Sequence, residues 1–217
     1  MQKFRALLCG FEPFGQYTIN PSWIAVKAIP EEIGCAEIVK QQLPVSFRLA
    51  HQELEKAIEK EQPDIILCTG MAADRKEITI ERVAINICDA RIPDNEGLQP
   101  LDLPVLPGAP DAYFSNLPIK EIIKSISQAG IKASISNTAG TFVCNHVMFH
   151  LMHNIVTQKN NILGGFIHLP SLPEMIDAGS ERSGMPLESM VTGLSHAISV
   201  CASILEKRID GNSLPTL

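Results

Sequence analysis

The stretch DIILCTG, Asp64 to Gly70, is a short apolar run that ends in glycine. A continuous apolar run of this length is typical of a strand that is buried on both faces of a sheet. A second run of this kind, FRALLCG, extends from Phe4 to Gly10. Because sheets that are buried on both faces are covered by helices, these two runs favour an α/β protein.

Helical segments alternate with further strands along the rest of the chain. Asn20 and Pro21 have the residue types preferred at the cap and first position of a helix, and Ser46 is expected to cap a helix that runs to Glu61. Further strands are predicted at 37–45, 132–137 and 162–168, and further helices at 119–130, 144–157 and 186–207. We therefore predict a mixed or largely parallel sheet with helices on both faces.

Length and charge restrict the class of protein. A chain of 217 residues suits one α/β domain, residues 1–217, and its net charge of −6 argues against binding to nucleic acid or to an anionic membrane. No apolar run approaches the roughly 18 residues that span a bilayer, and the N-terminal apolar segment is too short for a signal peptide. We expect a cytoplasmic location, in which the six cysteines stay reduced.

Two segments interrupt the regular pattern. Within KEITIERVAINI, residues 76–87, the alternation of apolar residues changes parity between Glu81 and Arg82. This change indicates a bulge or a strand end that alters the direction of the Glu81 side chain. The segment from Cys88 to Pro118 then contains six prolines and little periodicity. So long a loop is usually functional, as a lid or an assembly surface, although a wandering surface connection has the same pattern.

Cys144 follows a small-residue turn in AGTFVCNHVMFH, residues 139–150. It is a packed core residue, a metal ligand or a nucleophile. A thiol in the first turn of a helix lies near the positive end of the helix dipole, which lowers its pKa from about 8.5 toward neutrality. The same residue type is also a common, unreactive component of cores.

The histidines separate into two groups. His146, His150 and His153 share one helix face, but no HExxH motif accompanies them, so a solvated face is favoured over a metal site. His168 ends an apolar strand, where functional groups of open α/β sheets gather. A carboxylate would have to fix its tautomer, and Glu81 is the natural candidate, unless Glu81 forms only a surface salt bridge.

Several motifs together resemble the pyroglutamyl peptidase I family. They occur in the family's order and spacing, from Leu7 to the last helix: GFEPFG followed by NPSW, ERVAIN, DARIPDNEG, AGTFVCNHVMFHLMH and GFIHLPSLPE. The resemblance implies a three-layer α/β/α sandwich and a cytosolic, often homotetrameric cysteine peptidase that removes an N-terminal pyroglutamyl residue without a metal or other cofactor. It places the nucleophile at Cys144, the histidine at His168 and the acid at Glu81.

The resemblance also implies an apolar pocket for the pyroglutamyl ring, and Arg91 is an additional positive group for the oxyanion. The matching pocket positions are Phe11, Phe14, Val45, Ile92, Phe142 and Val143. One position departs from the family pattern: Met71 stands in GMAADR where many bacterial members have glutamine in GQAGGR. Losing one hydrogen bond to the lactam costs on the order of 1 kcal/mol.

Other functions stay open at this point. The Met71 change is compatible with a non-catalytic peptide-binding relative, or with an amidase that acts on a different small lactam. The Pro-rich loop and the apolar residues of the last helix are candidate subunit contacts.

Overall fold

A seven-stranded sheet forms the centre of the computed structural model, which describes residues 3–158, 161–177, 179–180 and 183–209. The strand order is β2-β3-β1-β4-β9-β5-β8, and a separate two-stranded sheet pairs β6 with β7. β1 runs parallel to β3 and β4, β4 runs parallel to β9, and β5 runs parallel to β8. Only the β2–β3 and β5–β9 pairs of this sheet are antiparallel, among the described residues. The sheet is therefore mixed and mostly parallel, as predicted.

The elements alternate along the chain in the predicted manner. The strands are β1 Phe4–Phe11, β2 Glu32–Ile33, β3 Ala36–Leu43, β4 Ile65–Met71, β5 Ile78–Glu81, β6 Val83–Ile85, β7 Ala112–Phe114, β8 Ala133–Ser136 and β9 Leu163–Leu169. The helices are α1 Pro21–Ala28, α2 Ala50–Glu61, α3 Ile119–Gln128, α4 Val143–Gln158 and α5 Leu187–Ile209, with a short 3-10 helix at Pro173–Met175.

Two apolar cores fill the space above and below the sheet. Alternate residues of β1 point to opposite faces, so that Leu8 joins one core and Leu7 the other. Helices α1, α3 and α5 cover the first face, and α2 and α4 cover the second. This arrangement is the three-layer α/β/α sandwich.

Most predicted boundaries are confirmed within a few residues. Asn20 caps α1, and its side chain accepts a hydrogen bond from the Ser22 backbone N–H. α2 begins at Ala50, later than predicted, because the Ser46 hydroxyl instead caps the turn before it and accepts from the N–H groups of Arg48 and Leu49.

The last helix packs one side into the core. α5 has 23 residues, and it is long and apolar enough, by length and composition alone, to cross a membrane. Its apolar side chains are instead packed into the core beneath the sheet, including Met190, Leu194, Ile198 and Cys201. A core helix of this kind gives only weak evidence of a membrane span.

Candidate active site

The structure brings the three predicted reactive side chains to one end of the sheet. His168 lies near the end of β9, which runs between β4 and β5 and places it opposite Gly70 and Thr79. Glu81 is the last residue of β5. The parity change is therefore a strand end, because the chain leaves the large sheet here and joins β7 through β6. Cys144 is the second residue of α4, and it lines the same cavity as His168.

Glu81 holds His168 by a buried hydrogen bond. The distance from His168 Nδ1 to Glu81 Oε1 is 2.7 Å, and the Glu81 side chain is fully buried. Arg75 donates to the same oxygen. The salt bridge considered as an alternative from the sequence is thus present together with the histidine contact. Because Nδ1 is occupied, Nε2 is the ring nitrogen left for proton transfer.

A glycine allows the cysteine sulfur to approach the sheet. A Cβ atom on Gly70 would lie 2.8 Å from Cys144 Sγ and 2.9 Å from the ring of Phe166. Distances below 3.0 Å are too short for such contacts, so only glycine fits here without displacing the sulfur. Since Gly70 and His168 are paired across β4 and β9, this contact places the sulfur beside the histidine strand.

The first turn of α4 is fixed to the neighbouring strand by Asn145. Its side-chain amide donates to the carbonyls of Ile85 and Ile87, at 2.8 and 3.0 Å, and its oxygen accepts from Ile85 N–H at 2.9 Å. The first backbone hydrogen bond of this helix runs from His146 N to Phe142 O. The N–H groups of residues 143–145 therefore precede the helical ladder, where they can receive an anion.

Burial dominates the ionisation of the reactive pair. It raises the pKa of the Cys144 thiol to about 12, and the nearby Glu81 carboxylate adds to the increase. Burial also lowers the pKa of His168, against the effect of its hydrogen bond to Glu81. The expectation of a lowered thiol pKa is therefore wrong for the free protein, because desolvation outweighs the helix dipole. Both shifts favour an uncharged thiol and an uncharged imidazole at neutral pH.

Glu81 itself is ionised in the resting site. Burial acts to raise its pKa, but the hydrogen bond from His168, together with Ser136 and Arg75, leaves the pKa below its ordinary value. A fixed negative charge is therefore available to stabilise positive charge that develops on His168.

A cavity of about 560 Å³ opens beside Cys144, within the range of small-ligand sites. Its wall contains a cluster of aromatic rings in which Phe14 and Phe142 have centroids 6.1 Å apart. Every pocket position predicted from the sequence lines it: Phe11, Phe14, Val45, Met71, Ile92, Phe142 and Val143, together with Arg91 on the exposed rim.

The Pro-rich loop forms part of this cavity. Asp89 N–H donates to Thr141 O, and the Thr141 hydroxyl donates to Asp89 O, so the loop is fastened to the turn before Cys144. Asn95 donates to Glu12 Oε1 and to Pro13 O, which joins the loop to the GFEPFG turn. These bonds hold Arg91 at the cavity mouth. The segment also contains β7, which the sequence analysis did not predict.

The other histidines do not form the predicted solvated face. His146 is 6% exposed and lies on the α2 side of α4, where its Nε2 is 3.2 Å from His51 Nδ1. His150 stacks on His51, and His153 bonds to the hydroxyl of Tyr113. The solvated-face interpretation is wrong because α2 covers His146 and His150, and Tyr113 of β7 contacts His153.

Two residues that position the site, Gly70 and Asn145, were not predicted from the sequence. Each had a signal, since Gly70 ends the apolar strand and Asn145 directly follows the cysteine. The contacts that give them a role come from residues far away in the chain, so spacing alone could not reveal them.

A cysteine, a histidine and a buried carboxylate beside an apolar cavity, on an α/β/α sandwich, define a cysteine hydrolase.

The known proteins that resemble this chain point to one family. The sequence model of the pyroglutamyl peptidase family matches residues 4–204. The pyrrolidone-carboxylate peptidase of Bacillus licheniformis is 50% identical over 94% of this chain and 95% of its own, and that of Thermococcus onnurineus is 48% identical over 86% and 93%.

Solved structures agree with the sequence relatives. A crystal structure of pyroglutamyl peptidase I from Bacillus amyloliquefaciens superimposes with a TM-score of 0.89 at 46% identity, covering 93% of this chain and 98% of that one. The chain belongs to the pyroglutamyl peptidase family, which is a family of cysteine peptidases that remove N-terminal pyroglutamate.

Proposed function

We propose that this protein removes N-terminal pyroglutamyl residues from peptides, with Cys144 as nucleophile, His168 as general base and acid, and Glu81 as the group that orients His168. The observation that carries the proposal is the buried bond between His168 Nδ1 and Glu81, at the edge of a cavity that Cys144 also lines. Family membership supplies the substrate class.

Acylation follows from the neutral state of the pair. The Cys144 sulfur attacks the pyroglutamyl carbonyl carbon, and the thiol proton moves to His168 Nε2 as the carbon–sulfur bond forms. The resulting imidazolium is stabilised by the Glu81 carboxylate. When the carbon–nitrogen bond breaks, His168 returns the proton to the leaving amine, and a thioester remains on Cys144.

Deacylation reverses the proton path. Water attacks the thioester carbon while His168 accepts one of its protons, and the cysteine sulfur leaves and recovers that proton from the imidazolium. In both halves the negative oxygen is proposed to bind at the first-turn N–H groups of α4, with the Arg91 guanidinium at the cavity mouth as an additional positive charge.

The aromatic wall suits an uncharged five-membered lactam. Phe14, Phe142 and Ile92 supply apolar contact, and the side chain of Met71, 7% exposed, has no amide group that could bond the ring. Ring recognition therefore relies on apolar contact and backbone groups more than on a side-chain amide. This observation favours a second candidate, an amidase of relaxed lactam specificity.

Hydrolysis of a chromogenic pyroglutamyl amide tests the proposal. We expect turnover by the natural chain and its loss in Cys144→Ser, whereas Cys35→Ser, at a half-buried thiol outside the cavity, keeps it. Turnover that survives Cys144→Ser would refute the assignment. A parallel series of acyl amides with an altered lactam ring separates the two candidates, because only a relaxed amidase cleaves the altered rings at comparable rates.

Family resemblance further suggests a cytoplasmic, single-domain enzyme that assembles as a homotetramer. The Pro-rich loop supports self-association, since its apolar side chains Leu101 and Leu103 are 67% and 55% exposed, and the adjoining Phe114 is 69% exposed. Light scattering coupled to gel filtration should give the mass of four chains. A monomeric mass at micromolar concentration would contradict the assembly, and not the chemistry.

A further inference from the structure

Three histidines converge between α2 and α4, on the side of α4 away from the cavity. His146 follows Cys144 by two residues, which is about 200° around a helix. His150 lies one turn further along the same face, and His51 approaches from the second residue of α2. This cluster, which we call the imidazole cluster, takes no part in the proposed hydrolysis.

The geometry of the imidazole cluster is close to that of a metal site. One ring nitrogen from each histidine lies within 4.8 Å of the other two. Two nitrogens that bind one tetrahedral zinc ion at about 2.05 Å are about 3.3 Å apart. His146 Nε2 and His51 Nδ1, at 3.2 Å, already have this spacing. His150 is only partly buried, so a change of side-chain rotamer can bring its ring nitrogen within ligand distance of the same ion.

The surroundings also suit ligation. Cys88 Sγ lies 3.3 Å from His146 Nδ1, on the far side of the ring, where metal-binding histidines commonly have a second partner. Burial, together with the neighbouring histidines, lowers the pKa of His146 to about 3 and that of His150 to about 4. Both rings are therefore uncharged at neutral pH, with a lone pair available.

We propose that His51, His146 and His150 bind a divalent transition-metal ion of the zinc class, which clamps α2 to α4. Three imidazoles, with a water molecule as fourth ligand, complete the tetrahedral shell that zinc prefers, whereas calcium and magnesium prefer oxygen ligands. The ion is structural, since the cluster is outside the cavity, and it would stabilise the helix whose first turn carries Cys144. The proposal is independent of the peptidase assignment.

Calorimetric titration with zinc chloride tests this site. The background is the full chain with Cys144→Ser, so that the cavity thiol does not compete for zinc. We expect one ion per chain, and a Tm increase of about 5 to 10 °C when free zinc is about 100 times Kd. His51→Gln and His150→Gln should each weaken binding by at least about 10- to 100-fold.

Matched controls separate a built site from incidental zinc binding. His153→Gln, on the same helix, and His196→Gln, on α5, should keep the affinity, because both rings already bond to hydroxyl groups of Tyr113 and Ser125. Equal effects of all four substitutions, or no saturable binding by a chain that melts cooperatively, would overturn the proposal.

Cobalt(II) identifies the ligand atoms. A cobalt complex of three imidazoles lacks the intense sulfur-to-metal charge-transfer band of a thiolate complex, and Cys88→Ser should leave its spectrum nearly unchanged. A strong charge-transfer band that disappears in Cys88→Ser, with binding insensitive to His150→Gln, would assign the metal to the Cys88–His146 pair and refute the three-imidazole site.

Discussion

Replacing Glu81 with glutamine removes the negative charge beside His168 but keeps the geometry of the hydrogen bonds. In the natural chain one oxygen, Oε1, accepts from both His168 Nδ1 and Arg75. A glutamine carbonyl oxygen can accept the same two bonds, so the ring orientation and its tautomer are kept. Only the negative charge that faces the developing imidazolium is lost.

The magnitude follows from that single bond. A hydrogen bond to a charged partner contributes about 1.5 to 3 kcal/mol and a neutral one about 0.5 to 1.5 kcal/mol. Replacing the first by the second therefore costs about 1 to 1.5 kcal/mol and lowers kcat by about 5- to 13-fold. Arg75 is left without its counter-ion and opposes the imidazolium further, so the upper part of this range is expected. His168→Ala should be more damaging, because it removes the proton carrier itself.

The pH profile of kcat/KM provides an independent measurement. Activity requires an unprotonated His168, whose pKa is lowered from 6.5 by burial, so the acidic limb of the natural chain lies below pH 6.5. The Glu81 contact raises the pKa of His168, and its removal must lower that pKa again. We therefore expect the acidic limb of Glu81→Gln to move to lower pH.

The prediction is tested by steady-state hydrolysis of a pyroglutamyl amide from pH 4.5 to about pH 9. The Tm serves as a folding control. An unchanged kcat in a folded variant would refute the role of Glu81. A limb that moves to higher pH would show that the controlling group is not His168.

Three further substitutions test other parts of the site. Gly70→Ala places a methyl group 2.8 Å from Cys144 Sγ and 2.9 Å from Phe166, so kcat/KM should fall by about 100-fold; full activity would contradict the close approach. Met71→Gln should lower KM about 5-fold if a lactam hydrogen bond worth about 1 kcal/mol is regained, and an unchanged KM would show that backbone groups already satisfy the ring. Asn145→Ala removes three partly buried hydrogen bonds, and at about 1 kcal/mol per bond it should lower the Tm by about 6 to 12 °C in calorimetry. A smaller decrease in Tm would mean that water replaces the amide.

The sequence predicted the layers of the fold better than their order. Apolar runs such as DIILCTG and LGGFIHL identify strands because their side chains must be buried on both faces. The same runs do not specify which strand lies beside which, or that β5 runs antiparallel to β9. That reversal, which brings the end of β5 to His168, depends on contacts between residues 87 positions apart.

Buried ionisable groups were predicted least well, for a common physical reason. The dipole of α4 is a local property, and it favoured a lowered pKa for Cys144. Desolvation depends on everything that packs around the sulfur, including Gly70 from a distant strand. The solvated-face error for His146 has the same origin, because its covering partner, His51, is 95 residues away.

The raised pKa of Cys144 determines how fast its thiol reacts with different reagents. A thiol whose pKa is raised to about 12 is almost fully protonated at pH 7, so it reacts slowly with small alkylating agents. Attack on a bound amide differs, because the substrate carbonyl and His168 meet the sulfur together and the proton leaves during bond formation. We therefore expect slow labelling of Cys144 by iodoacetamide at pH 7, and faster labelling by a reagent that carries the pyroglutamyl ring. Rapid labelling by iodoacetamide at pH 7 would instead require a resting thiolate, which contradicts the neutral pair.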